Sequence, residues 1–183
     1  MPAFDNAAST FSAANVASLT TAAWVIGGAN RYLVAGVASG ATTPANPSAC
    51  KWGGSAGTSL TQQGTTIDVA ANGKASMFGL VAPAAESNTL YCAWGSNQDE
   101  TMLGGVSMAD VDQTTPTGTL ATGTGSDQTP TVAPTTVSGD EVVDVAFVLA
   151  TDCNAPTLLV GAGQTSRVEV EGANLNCECL GMS

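Results

Sequence analysis

Apolar residues along this chain recur at a period of two or in short unbroken runs, and seldom at helical spacing. The run Arg31 to Ala38 (RYLVAGVA) is apolar on both faces, as expected of a central strand in a covered sheet. Further on, Phe78, Leu80 and Ala82 alternate with Gly79 and Val81, while Leu90, Cys92 and Trp94 share a face. Val143, Val145, Phe147 and Leu149 share a face opposite Val142, Asp144, Ala146 and Val148. Val168 and Val170 alternate with Glu169 and Glu171, an inside/outside reading. The stretch most open to a helical reading, Ala3 to Leu19, is too rich in Ser, Thr and Asn for one.

The punctuation between these runs agrees. Asn72-Gly73 separates two candidate strands and favours the type I′ turn of a tight hairpin. Gly27-Gly28, Gly53-Gly54, Gly139-Asp140 and Gly172 mark other reversals. Pro44, Pro47, Pro83, Pro116 and Pro156 fall between strands. About ten short strands at spacings of roughly 8–15 residues predict an all-β, antiparallel β-sandwich, jelly-roll-like. Length predicts a single domain over 1–183, with 1–14 either an N-terminal arm or an edge strand. The Thr/Gly/Pro-rich stretch Gln113 to Ser138, with its echo of DQTTP/DQTP at Asp112 and Asp127, reads as edge strands and long loops.

Composition narrows the core and the chemistry. The 183 residues (18.1 kDa) are 44% hydrophobic but only 5% aromatic, and mean hydropathy is +0.18 because alanine replaces large residues. A thin core of small side chains in a two-layer packing follows. Four Lys plus Arg against fifteen Asp plus Glu give a formal net charge of −11. No cationic stripe for nucleic acid can be built from four basic residues. With no histidine, Ser–His–Asp and Cys–His constellations and the usual zinc sites are excluded. The start, Met1 to Asp5, lacks a basic leader and no apolar run is long enough to span a bilayer, so a soluble protein made without a cleavable signal is expected. Five cysteines without a spaced framework read as reduced thiols of an intracellular product.

Each remaining candidate site has a bland counterpart. Cys177-x-Cys179 lacks the second pair a zinc site needs, so both thiols, like Cys92, read as small core hydrophobes. Cys50 and Cys153 lie near loop positions, where an opportunistic disulfide is an option. Asp99-Glu100, Asp110-x-Asp112 and Asp140-Glu141 with Asp144 are acidic pairs, but Asp110-Val111-Asp112 lacks the third carboxylate of sandwich-fold glucanases. Turn-forming carboxylates are the simpler reading. The oxygen-rich loops Asp110 to Thr115 and Asp152 to Asn154 are calcium candidates that depart from the EF-hand pattern. No catalytic residue, metal site or cofactor is therefore expected. Trp24 and Trp94 read as core; Trp52, between Lys51 and Gly53-Gly54, is the best candidate for an exposed indole, although a packed one is a simpler reading than a sugar-binding one.

A family resemblance enters through a succession of motifs. These are Asn30-Arg31-Tyr32-Leu33-Val34-Ala35-Gly36-Val37, Lys51-Trp52-Gly53-Gly54 with Leu60-Thr61, and Met77-Phe78-Gly79-Leu80-Val81-Ala82-Pro83. Val111-Asp112-Gln113-Thr114-Thr115-Pro116, Gly139-Asp140-Glu141-Val142-Val143-Asp144 and Gly161-Ala162-Gly163-Gln164-Thr165 follow. Together they resemble a β-sandwich module of tailed-phage structural proteins and some bacterial surface proteins, over most of residues 1–170. In longer relatives the module is appended to other domains; this chain reads as a stand-alone copy without the heptads of a fibre stalk. The resemblance implies a capsid decoration (cement) protein on the virion exterior, made in the host cytoplasm. Its expected partners are the major capsid protein and, as a homo-oligomer on the shell, further copies of itself, with no nucleic acid and no membrane. Phe4, Phe11 and Trp52 are the candidate interface residues. The alternative is a carbohydrate-binding or host-attachment module of a tail or surface assembly, and a glycan-active enzyme stands third.

Overall fold

A computed structural model describes residues 1–69, 72–125, 132–149, 162–171 and 178–182. Its strands are β1 (Ala3–Ser12), β2 (Val16–Thr20), β3 (Trp24–Val25), β4 (Tyr32–Gly40), β5 (Pro47–Trp52), β6 (Thr58–Ser59) and β7 (Thr61–Val69). They continue as β8 (Gly73–Val81), β9 (Ser87–Asn88), β10 (Leu90–Gln98), β11 (Glu100–Ala109), β12 (Val145–Leu149), β13 (Val168–Glu171) and β14 (Glu178–Met182). No helix occurs among the described residues, and every strand pairing is antiparallel. The all-β sandwich expected from the periodicity is what the chain forms.

A five-stranded central sheet runs β1-β11-β4-β8-β7, and a four-stranded sheet β2-β10-β5-β6 packs on one face of it. On the other face lies a three-stranded sheet, β12-β14-β13. The molecule thus has three layers where composition predicted two. The central strand explains why: all nine residues of β4 are buried. Leu33, Ala35 and Val37 point to the four-stranded sheet, with Phe78, Leu90, Leu103 and the three tryptophans. Tyr32, Val34 and Ala38 point the other way, to Val168, Leu180 and Met182. A strand apolar on both faces needs a cover on both.

Nor is the core built mainly of small side chains. The few large residues concentrate at the two layer contacts, and small residues occur where layers approach most closely. Gly36 on β4 and Gly104 on β11 are register partners. A Cβ on Gly36 would stand 2.8 Å from Val145, and one on Gly104 would stand 2.8 Å from Val168 and 3.0 Å from Met182. This glycine pair forms a trough that receives the third layer. On the opposite face, a Cβ on Gly105 would meet Leu90 at 2.9 Å and Trp24 at 3.1 Å.

β7 and β8 pair as a hairpin at the expected place, but Val69 lies opposite Gly73, which is already the first residue of β8 and has no positive φ, so Asn72-Gly73 does not form the two-residue type I′ turn. Val168 and Val170 are buried and Glu169 and Glu171 exposed, also as read from their alternation. Residues 113–125 and 132–138 form no strand, so the expected edge strands of this stretch are absent there. Their Thr, Gly and Pro instead form irregular, mostly exposed chain, with Leu120 lying against Gly64 of β7. Gly172, Asp127, Pro156 and Leu175 lie outside the described residues.

The trough makes a testable demand. Gly104→Ala should lower stability by about 1–3 kcal/mol in denaturant unfolding, the usual cost of overpacking. In a double-mutant cycle with Val168→Ala, the combined loss should fall short of the sum, because the shorter side chain makes room for the new methyl. Strict additivity would count against Val168 as the group that fills the trough.

Candidate functional site

The three residues singled out for an interface are placed in very different surroundings. Trp52 is buried at 2% exposure. It ends β5 opposite Leu90 and meets Trp24 edge to face, ring centroids 5.2 Å apart. Of the two readings of this indole, packed or exposed, the structure shows the packed one. Gly53 and Gly54, both at positive φ, turn the chain back beneath Thr89, whose carbonyl accepts Gly53 N–H at 2.9 Å. Trp52 is thereby drawn inside by the turn that seemed to release it.

Phe4 and Phe11 lie on β1, which is no free arm. It pairs with β11 from Ala3↔Ala109 to Ser12↔Thr101 and forms the edge of the central sheet. A bulge between Phe4 and Asn6 changes the strand's parity. Phe4 stands opposite Met108 and Phe11 opposite Met102, so the two rings share a face although they are seven positions apart. Phe11 packs against the second core, whereas Phe4 is 38% exposed. Arg167 covers the Phe4 ring, its guanidinium carbon 4.0 Å from the centroid.

Asp5, at the bulge, anchors this edge. One carboxylate oxygen accepts Gly27 N–H at 2.8 Å and the Ser107 hydroxyl at 2.8 Å. Asn6 donates its side-chain amide to the Val25 carbonyl at 3.0 Å. The start of β1 thus ties together β11 and the segment around β3.

The cysteines bring a correction. Cys50 lies within β5, directly opposite Cys92 on β10, with Cα atoms 4.2 Å apart, and the two form a disulfide. Their thiols are not reduced, and Cys92 is more than a core hydrophobe. Cys153 and Cys177 lie outside the described residues.

Several of the candidate carboxylates occupy turns. Asp112 accepts the Thr114 N–H at 2.7 Å and the Thr115 N–H at 3.3 Å, and these backbone donors hold its carboxyl below the usual aspartate range. It is an ionised turn former whose acceptor capacity is used locally. Asp110, at φ 58°, turns the chain by donating its N–H to Ala29. Asp140 accepts Val137 N–H, and Asp144 accepts the Gln164 amide. Glu100 is buried at the start of β11, opposite Gly40. Among the described residues, no group of three or more His, Cys, Asp or Glu side chains could hold a metal ion. The Asp152 to Asn154 loop lies outside them.

One concavity, of about 350 Å³, opens beside β7 and is lined by Gln62, Thr65, Thr66, Asp68 and Lys74 among others. Its polar groups engage one another: Gln62 bonds Thr66, Thr66 bonds Ser76, and Lys74 pairs with Asp68. The remaining cations are similarly committed. Arg31 donates to the carbonyls of Pro83 and Gly28, and Lys51 to that of Ser55. No helix among the described residues is long and apolar enough to cross a membrane. Sequence reasoning missed the disulfide and this groove, because both depend on strand register. Compared with known proteins, the chain matches no family model, no curated protein and no solved structure.

Two expectations test this description. Intact mass should rise by two hydrogens when Cys50–Cys92 is reduced, and a Cys50→Ala/Cys92→Ala double variant should lose stability. A 42-residue separation puts the chain-entropy contribution at about 4 kcal/mol. An unchanged mass on reduction of the unfolded chain would deny the bond. Asp5→Ala should cost about 1.5–3 kcal/mol, the range for hydrogen bonds to a charged group. A thermal midpoint unmoved by that change would mean β1 is not integral to the sheet.

Proposed function

We propose that this chain is a non-enzymatic structural protein of a tailed-phage virion, a capsid decoration (cement) protein that binds the assembled shell and stabilises it. The observation that carries the reading is the construction of the surface. Stacked sheets end in open strand edges, and only 10% of the residues are charged. Strand edges can pair with extended segments of neighbouring subunits. Small neutral side chains pack closely against a partner, and weak contacts repeated over a symmetric lattice sum to firm attachment.

The residues that carry the family resemblance support it at the level of architecture. Arg31 ties the start of β4 to Gly28 and Pro83, and Gln113 donates to the Arg31 carbonyl at 3.2 Å. Gly53-Gly54 forms the turn after β5, and Asp112 closes the turn that follows β11. These are joints of a sandwich. The buried Cys50–Cys92 disulfide suits a particle that works outside the reducing cytoplasm in which it is made. The partner is the major capsid protein, and the net charge of −11 disfavours contact with packaged DNA.

A second reading, a carbohydrate-binding or host-attachment module, is favoured by the polar groove beside β7. It lacks an exposed indole, since Trp24, Trp52 and Trp94 are all buried.

Adding the purified protein to shells that lack it should give saturable binding, at a fixed number of copies per capsid subunit, and raise the temperature at which the shells break. Absence of shell binding, together with specific retention on a glycan array, would replace this reading with the second.

A further inference from the structure

β1 closes one side of the central sheet, and no strand pairs with its outer backbone edge among the described residues. The opposite edge shows how this fold protects such a strand. β7 is broken by a bulge between Gln63 and Ile67, Leu120 lies against Gly64 within that bulge, and Asp68 pairs with Lys74 beside it. Bulges, covering segments and charges are the usual means of blocking an edge.

Among the described residues, β1 has none of these protections along its regular part. Its bulge comes early, and pairing to β11 then runs without interruption from Asn6 to Ser12. Its single charge, Asp5, is turned inward to Ser107 and Gly27. From Asn6 to Asn30 no residue carries an ionisable side chain, in a chain whose formal net charge is −11. That neutral run contains the regular part of β1 and also β2, the edge strand of the next layer, which packs beside it. Among the described residues, charge returns to this flank with Arg167, which covers Phe4 at the start of β1, and with β13, which packs against β1 with Glu169 and Glu171 facing outward.

We infer that β1 pairs antiparallel with β1 of a second copy of this chain about a two-fold axis, joining two central sheets into one. An antiparallel edge is self-complementary under such an axis. With the axis at Ser9, that residue faces its own copy and Ala8 faces Thr10, with no like charges opposed. A partner selected by charge would need a charged strip, and β1 with β2 presents a neutral one. The acidity of the rest of the molecule, including Glu169 and Glu171, opposes the approach of two copies and is screened by salt. Pairing through β1 therefore tightens as ionic strength rises, opposite to an association steered by charge. The inference does not rest on the shell reading, since the purified chain alone is the test system.

Sedimentation of that chain over a concentration series, at low and high salt, should show a species of twice the 18.1 kDa chain mass whose share grows with salt. Backbone amides between Ala8 and Ser12 should exchange more slowly in the concentrated sample, and those of β7 should not change. Ser9 is exposed, so Ser9→Lys should abolish the dimer while keeping the monomer's circular dichroism, and Thr65→Lys on β7 should leave the dimer intact. A chain that stays monomeric at every concentration and salt would overturn the inference. So would a dimer in which the β1 amides of the unaltered chain gain no protection, a result independent of whether either variant folds. Protection of β1 that appears only when shells are added would assign the edge to a shell strand, and would equally end the self-pairing inference while supporting the shell reading.

Discussion

The structure depends on one constraint: β4 is apolar on both faces, so the sheet it centres must be sealed on both sides. The four-stranded sheet seals one face through Trp24, Trp52, Leu90 and the Cys50–Cys92 bridge. The C-terminal sheet seals the other through Val145, Val168 and Met182, and it packs this closely only because Gly36 and Gly104 lack side chains. Burial supplies the driving force, and the glycine pair supplies the space. Small residues in this chain are thus not a sign of a thin core. They mark where one layer must come close to another.

Much of this was legible in the sequence. RYLVAGVA announced a doubly covered strand, and the alternation of Val168 and Val170 with Glu169 and Glu171 placed the inner face of β13 correctly. Cys92 and Trp94 were read to the right face as well. What escaped was information held between strands. Cys50 lies opposite Cys92 only in the folded register, and nothing in their 42-residue separation reveals it. Trp52 was open to both a packed and an exposed reading because two glycines follow it, and their positive φ values fold the chain over the indole. Phe4 and Phe11 share a face only because of the bulge at Asp5, which breaks the period-two count. The third layer was implicit in β4, but the sequence separating β11 from β12 carries no pattern that says the later strands will supply it.

The same physics shapes what the molecule presents to others. Its cations are spent on backbone carbonyls, on one carboxylate and on the Phe4 ring, so they leave little positive surface. Asp112 and Asp140 close turns, and its indoles are inside. The exposed chemistry that remains is hydroxyl, amide, carboxylate and small apolar groups together with strand edges, of which β7 is protected and β1, among the described residues, is open. Such a surface suits contact with another protein chain better than capture of a small molecule. The candidate aromatic docking residues contribute little to it directly, because Phe11 and Trp52 serve the two cores and Phe4 is covered by Arg167.

Residue-resolved native-state hydrogen exchange tests the central claim, that the layers on both faces of β4 hold the fold together, most directly. Amides of β4 and β11 should exchange only through global unfolding, with the same free energy and the same denaturant dependence, while β7 opens at lower cost. Exchange of β4 at the rate of β7, or opening of β4 without loss of the C-terminal sheet's protection, would contradict a central sheet sealed from both sides.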